Sequence, residues 1–324
     1  MNGFQCSDTL NYGKMKETQW IFSRKGDHMT FQSIQVQDLT KKFGRKTVIE
    51  NANFNIAAGE ICAVIGKNGA GKTTLFKLLT EQLFPNKGHI EFQGSFERPS
   101  IGTLIENPVF FPKFSAYHNL AYFSKQITGS IDKERIQEVL DLVELENSRR
   151  KFEQFSLGMK QRLGIALALL FKPDLLVLDE PSNGLDPEGV RDIRQILLKV
   201  NRERRTTIIV SSHVLTELEE IATDYIILNE GQIVEKVSKD KLIDNMVKTL
   251  VIKVDAAKQA ATVLNEQFDA LEIKIVDDTT LHLSSDDIPS YDINRRLVSK
   301  GIQVHSLTIQ NETLEDYFFE KVGV

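Results

Sequence analysis

Apolar residues recur along this chain at two spacings, and the switches between them mark out its elements. Phe31-Gln32-Ser33-Ile34-Gln35-Val36 alternates apolar with polar, the period of a half-buried strand. Ala52-Asn53-Phe54-Asn55-Ile56 repeats that period. Ile61-Cys62-Ala63-Val64-Ile65 is apolar throughout, as in a strand covered on both faces. Leu75-Phe76-Lys77-Leu78-Leu79 then moves to helical spacing. Strand patterns return at residues 88–92 and 101–104, the second running on to the acid Glu106. Between residues 116 and 171 strand signals vanish. There Ile136, Val139, Leu140 and Val143 share one helical face within 131–145, and 163–171 reads as a core helix. Two buried strands follow, at 175–178 and 207–212.

Beyond Asp240 the pattern changes. Strand-like stretches at 250–254, 273–276, 280–283 and 302–307 alternate with helical ones at 256–267 and 290–300, a β-α-β-β-α-β order. A last amphipathic helix, 313–321, is expected to dock back on the main body. The chain is thus predicted to hold an α/β core over 29–244, with an α-helical subdomain at about 116–172. A small C-terminal α+β module follows over 245–324.

Between the strand ending at Ile65 and the helix beginning near Leu75 lies Gly66-Lys67-Asn68-Gly69-Ala70-Gly71-Lys72-Thr73-Thr74. Strand, glycine loop, Lys-Thr and helix in that order make a P-loop, and with it a P-loop NTPase core. The glycines let the backbone turn so that N–H groups from Gly66 through Asn68, Gly69, Ala70, Gly71, Lys72, Thr73 and Thr74 converge on one phosphate chain at a helix N-terminus. Lys72 places a positive charge on the β/γ-phosphates and the Thr73 hydroxyl holds Mg²⁺. Such a motif arises by chance in about one chain of this length in a hundred.

Other candidates fall at element ends. Phe43, just before the strand at 52–56, is expected to stack on an adenine ring. Ser156 in Phe155-Ser156-Leu157-Gly158-Met159-Lys160-Gln161-Arg162 is a candidate N-cap, and Gly158 permits close backbone approach to a ligand. The strand at 175–178 delivers Asp179 and Glu180 at its carboxyl end, where α/β sheets bind their ligands. The strand at 207–212 delivers His213.

Composition narrows the class. At 324 residues, 41% hydrophobic and 26% charged, the chain has the make-up of an ordinary globular protein. A net charge of −5 argues against a nucleic-acid partner. Two cysteines, Cys6 and Cys62, make no disulfide framework, and Cys62 reads as a small buried hydrophobe. No apolar run reaches the length of a membrane span, so a cytoplasmic-type protein is expected. Residues 1–28 lack periodicity and an apolar signal region, and read as a disordered extension or as sequence upstream of a native start at Met29.

These segments, in this order, resemble the ATP-binding subunit of ABC transporters over nearly all of residues 31–324. The loop 66–73 matches the Walker A motif, 155–162 the ABC signature and 175–180 Walker B with its following glutamate. Ser182-Asn183-Gly184-Leu185-Asp186 matches the D-loop and His213 the switch histidine. The resemblance implies ATP and Mg²⁺ as ligands. Asp179 then holds Mg²⁺ beside Thr73, Glu180 serves as general base and His213 reaches the γ-phosphate. It further implies that Ser156 and Gly158 act across a homodimer, and that Asp186 of the D-loop belongs to the nucleotide-binding residues. A separate transmembrane permease then engages the helical insertion and the Glu106 loop, which puts the protein peripherally at the cytoplasmic face of the membrane.

Two departures from the family pattern narrow the resemblance. The signature reads Ser-Leu-Gly-Met-Lys, and Glu106 stands where glutamine is usual. A carboxylate at 106 is also a ligand for Mg²⁺. Both departures resemble the branch that exports bacitracin and lantibiotic peptides, with antibiotic resistance or immunity as the outcome. The competing reading is a soluble ABC-type mechanoenzyme acting on ribosomes or nucleic acid; a third is an ATP sensor without turnover. The first lacks the tandem ATPase domains or coiled coils expected of it, and the second disagrees with having both Glu180 and His213.

Overall fold

Runs of apolar residues without alternation require a sheet buried on both faces, and the computed structural model contains one. It describes residues 31–94, 98–106, 109–245, 248–266, 272–284 and 290–323; the expected start at Met29, Cys6 and the pair Asn107-Pro108 lie outside them. The first half comprises β1 (Phe31–Phe43), β2 (Lys46–Ala57), β3 (Ile61–Ile65), α1 (Lys72–Leu79), β4 (Lys87–Gly94), β5 (Ile101–Leu104), α2 (Ala116–Thr128), α3 (Lys133–Leu142) and α4 (Leu157–Leu169). Then come β6 (Leu175–Asp179), α5 (Pro187–Arg204), β7 (Thr207–Ser211), α6 (Leu215–Glu219), β8 (Asp224–Asn229), β9 (Gln232–Ser238) and α7 (Lys239–Asn245). The remainder is β10 (Lys248–Val254), α8 (Ala257–Asn265), β11 (Glu272–Ile275), β12 (Thr280–Ser284), α9 (Ser290–Ser299), β13 (Val304–Asn311) and α10 (Leu314–Val322).

The central sheet runs β5-β6-β7-β3-β8-β9, parallel except for β9. Side chains alternate between two apolar cores. Ile61, Ala63 and Ile65 of β3 face one, with Leu176, Leu178, Ile208 and Val210; helices α2 to α5 close it. Cys62 and Val64 face the other, with Leu175, Val177 and Ile209. Burial on both faces stabilises each such Leu or Ile by about 1.5–3 kcal/mol, which is why polar residues appear only at the strand ends. Burial also pushes the Cys62 thiol well above its ordinary pKa, which leaves it inert.

Strands β2-β1-β4 form an antiparallel sheet that closes the second core over α1, through Ile34, Val36, Ile56, Leu75 and Phe76. β1 outlasts its alternating stretch because it pairs with β2 on one side and β4 on the other. In the helical insertion, Ser115, Asp132 and Ser156 cap the helices α2, α3 and α4. Buried Arg135 of α3 reaches across to the carbonyls of Leu169 and Leu170, at the C-terminal end of α4. It thereby satisfies groups that a helix end leaves unpaired.

The elements expected from the sequence do not include α5, β8 and β9, although Ile193, Ile196, Leu197 and Val200 recur at helical spacing on the buried face of α5. α5 is announced by Asp186-Pro187, an N-cap followed by proline at the first helical position. Glu230 and Gly231 between β8 and β9 both take positive φ, at 47° and 84°, the geometry of a tight hairpin turn.

The C-terminal strands form their own antiparallel sheet in the order β11-β12-β10-β13. Leu250, Ile252, Leu281 and Leu283 pack there against Ala260 and Leu264 of α8 and Ile293 and Leu297 of α9. α10 leaves that core. Its Leu314, Tyr317 and Phe318 are buried in the core of the central sheet.

Candidate functional site

β3 ends where its loop must turn sharply, and the loop's glycines answer to space as well as to dihedral angle. Gly69 and Gly71 adopt φ of 83° and 113°. A Cβ on Gly66 would sit 2.4 Å from the Leu228 carbonyl oxygen, and one on Gly71 2.9 Å from both Val48 O and Ile49 Cδ1. The β8–β9 hairpin braces the loop from behind. Gly231 N donates to Ala70 O at 2.9 Å, and the Gly231 carbonyl accepts from Glu50 N on β2. Asn68 and Gly69 at the loop's tip are exposed, and Thr74 in the first turn of α1 is half-buried. Gly71 is the N-cap of α1 and offers no side-chain acceptor to the helix's first N–H groups. Lys72 is buried, with Nζ donating to Gly66 O at 2.6 Å and Lys67 O at 3.4 Å. A lysine so placed holds its charge against the loop until a stronger acceptor enters it.

A chain of polar contacts joins this loop to the ends of β6 and β7. Thr73 Oγ1 donates to Asp179 Oδ2 at 2.5 Å, and Ser211 Oγ donates to Asp179 Oδ1 at 2.7 Å. Ser211 Oγ in turn accepts from Glu180 N at 3.0 Å. Asp179 and Ser211 are register partners across β6 and β7. Glu180 takes a left-handed φ of 49°, a conformation that costs a non-glycine residue about 1 kcal/mol or more. Its Oε2 accepts from Asn183 Nδ2 at 3.2 Å and lies 3.6 Å from His213 Nδ1. Asn183 lies within the D-loop match without a role of its own being read there, and the one signal for Ser211 is a hydroxyl near the carboxyl end of a strand.

The remaining candidates are held elsewhere. Glu106 has φ of 64°, is largely exposed and forms a 2.5 Å ion pair with Lys77 of α1. Phe43 ends β1 half-exposed, with Lys41 Nζ 5.1 Å from its ring centroid. Ser156 accepts from Met159 N at 3.2 Å as the cap of α4. Gly158 is partly exposed, and a Cβ there would make only an ordinary contact, 3.8 Å from Leu185 Cδ2. Asp186 caps α5 by accepting from Gly189 N at 3.0 Å.

Thr73, Asp179 and Ser211 present only oxygen donors, which suits a hard divalent cation such as Mg²⁺. Among the described residues no group of three or more His, Cys, Asp or Glu is placed to hold a metal unaided. A cation here would therefore share its coordination with phosphate oxygens, the usual habit of Mg²⁺.

Comparison with known proteins fits this geometry. The ABC transporter family profile matches residues 49–183. The bacitracin transport ATP-binding protein BcrA of Enterococcus faecalis is 37% identical over 298 residues, 90% of this chain and 96% of that protein. The chain belongs to the ABC transporter ATP-binding protein family. A lantibiotic transport ATP-binding protein of this family, SrtF of Streptococcus pyogenes, is 40% identical over 62% of this chain and 89% of its own length. Among solved structures, an ATP-binding subunit of an ABC transporter superposes with a TM-score of 0.57 at 26% identity, covering 66% of this chain and 92% of its own. The dimeric ATP-binding cassette MJ0796 bound to ADP and Pi shares the fold, with a TM-score of 0.56 at 24% identity over 64% of this chain and 98% of its own. The protein is thus an ABC ATPase, which binds and hydrolyses ATP. No described helix is long and apolar enough to cross a membrane.

Proposed function

We propose that two copies of this protein form the ATP-driven motor of a membrane exporter whose cargo is a peptide antibiotic of the bacitracin or lantibiotic kind. The observation that carries the catalytic part is the contact chain Thr73–Asp179–Ser211–Glu180–His213. Mg²⁺ at Thr73 and Asp179 would neutralise phosphate charge. Lys72 binds the β/γ-phosphates, and the N–H groups from Gly66 to Thr74 cradle them. Glu180 Oε2, oriented by Asn183, takes the proton of the attacking water. His213 lies close enough to Glu180 to hold that water against the γ-phosphate. Phe43 stacks on the adenine. Ser156 and Gly158 reach the ATP of the opposite copy, in keeping with the exposed Ser156 and the partly exposed Gly158 at the start of α4; Asp186 fixes the D-loop beside them.

On this reading residues 29–244 are the ATPase domain, with the helical subdomain at 116–172, and residues 245–324 are an accessory module. Exposed Phe111 and Phe114, just before that subdomain, and Tyr122 within it make an aromatic surface suited to a separate permease, with rings of Phe111 and Tyr122 4.6 Å apart. Docking there sets the protein at the cytoplasmic face of the membrane. The named relatives are transport proteins, which favours this reading over a soluble mechanoenzyme. Tagged protein purified from detergent-solubilised membranes of its own host is expected to bring down a polytopic membrane protein at near-equal stoichiometry. Recovery of ribosomal proteins, or of no membrane protein, would refute it.

Glu106 also belongs to this proposal, as a ligand reaching Mg²⁺ once Lys77 releases it. Glu106→Gln keeps an oxygen donor, so ATP hydrolysis is expected to stay within about threefold of the parent while drug-stimulated turnover with the permease falls. Complete loss of ATPase activity would contradict the exchange of ligands.

A further inference from the structure

The nucleotide loop borders a cleft whose far wall comes from the opposite end of the chain. About 400 Å³ in volume, the cleft opens between Gly66 and Asn68 of the loop, His213 and its neighbours, and Glu315, Phe318 and Phe319 of α10. Between His213 and α10 lies α6, five residues long and without a side-chain N-cap. A helix so short is unstable in isolation and takes its order from what it packs on.

Three successive residues of α6 face three ways. Glu217 Oε2 accepts from Ser182 Oγ at 2.6 Å and Ser212 Oγ at 3.1 Å, tying the segment after Glu180 to the residue before His213. Leu218 is buried in the same core as Leu314, Tyr317 and Phe318. Glu219 Oε1 accepts from Leu314 N at 2.9 Å. α10 is itself anchored, by Tyr317 Oη donating to Glu235 of β9 at 3.0 Å and by a capping box between Thr313 and Asp316. Only Glu312 and Thr313 separate α10 from β13 of the C-terminal sheet.

We infer that α10 is a positioning element for the switch loop, through which the C-terminal module sets the rate of ATP hydrolysis. The inference rests on His213 acting at the γ-phosphate, as proposed above. Phe318 and Leu314 touch no reacting group. They hold α6, which orders the loop carrying His213, with Glu217 securing that loop by accepting from Ser182 and Ser212. Displacement of the C-terminal sheet is transmitted through the two-residue connector to the catalytic end of β7.

The test is steady-state ATP hydrolysis by the full-length protein carrying Phe318→Ser, His213→Ala or both, with folding followed by circular dichroism. Phe318→Ser is expected to lower kcat about tenfold and leave the KM for ATP within about twofold, and Phe318→Leu to restore most of the loss. In the His213→Ala background, Phe318→Ser is expected to change kcat by less than about twofold, because the group it positions is gone. An unchanged kcat in folded Phe318→Ser, or a tenfold loss that persists beside His213→Ala, would overturn the inference. If His213→Ala alone leaves kcat intact, the role of His213 fails instead, and the inference with it. Should Phe318→Ser not fold, Tyr317→Phe, which removes one hydroxyl, carries the same cycle with an expected loss of about threefold and the same criteria.

Discussion

Replacing Glu180 by glutamine is expected to slow ATP hydrolysis by about 10²–10⁴-fold while ATP stays bound. The substitution preserves shape. A glutamine oxygen still accepts from Asn183 Nδ2, now 3.2 Å from Oε2, and the backbone N–H still reaches Ser211. What disappears is the capacity to take a proton from water. Asp179 and Thr73 are untouched, so the proposed Mg²⁺ site keeps both of its residues. ATP that binds and is not consumed should hold two copies together. Phosphate release measures the first effect, and size-exclusion chromatography with ATP and Mg²⁺ the second. Turnover at the parent's rate would remove Glu180 from the role of base.

Lys72→Ala is expected to weaken ATP binding by about 10–100-fold, the loss that follows when a charged hydrogen-bond donor is deleted from a partly desolvated site. Alanine is the best helix former, so α1 keeps its first turn. The loop's shape should also survive, since it depends on Gly66, Gly69 and Gly71 and on the brace from Gly231. Titration calorimetry with a non-hydrolysable ATP analogue reads the affinity, and a thermal melt checks the fold. Affinity within about twofold of the parent would mean that the backbone N–H groups alone bind the phosphates.

Local chemistry sets how much of this is legible in the residues. β3, β6 and β7 announce themselves because a strand buried on both faces tolerates no polar residue except at its ends, and a five-residue run such as Ile61-Cys62-Ala63-Val64-Ile65 is too short for a core helix. The glycine loop is legible for a related reason: positive φ at Gly69 and Gly71 leaves little choice of side chain. Ser156 as the cap of α4 is a matter of one turn of helix, readable from its neighbours. β8 carries the same signal in Tyr225-Ile226-Ile227-Leu228, but no motif follows it, and only its pairing with β3 places it in the central sheet.

The sequence by itself determined the α/β class, much of the succession of strands and helices, and the types of residue brought to the strand ends, because each depends on spacing and on steric limits within a few residues. Tertiary structure alone decided which of those residues meet. Ser211 lies beside Asp179 through sheet pairing across 32 residues, and Lys77 meets Glu106 through the packing of a helix against a loop. The return of Leu314 to Glu219 spans 95 residues. Contacts at such separations depend on the closure of the whole chain around its cores, and no local period encodes them.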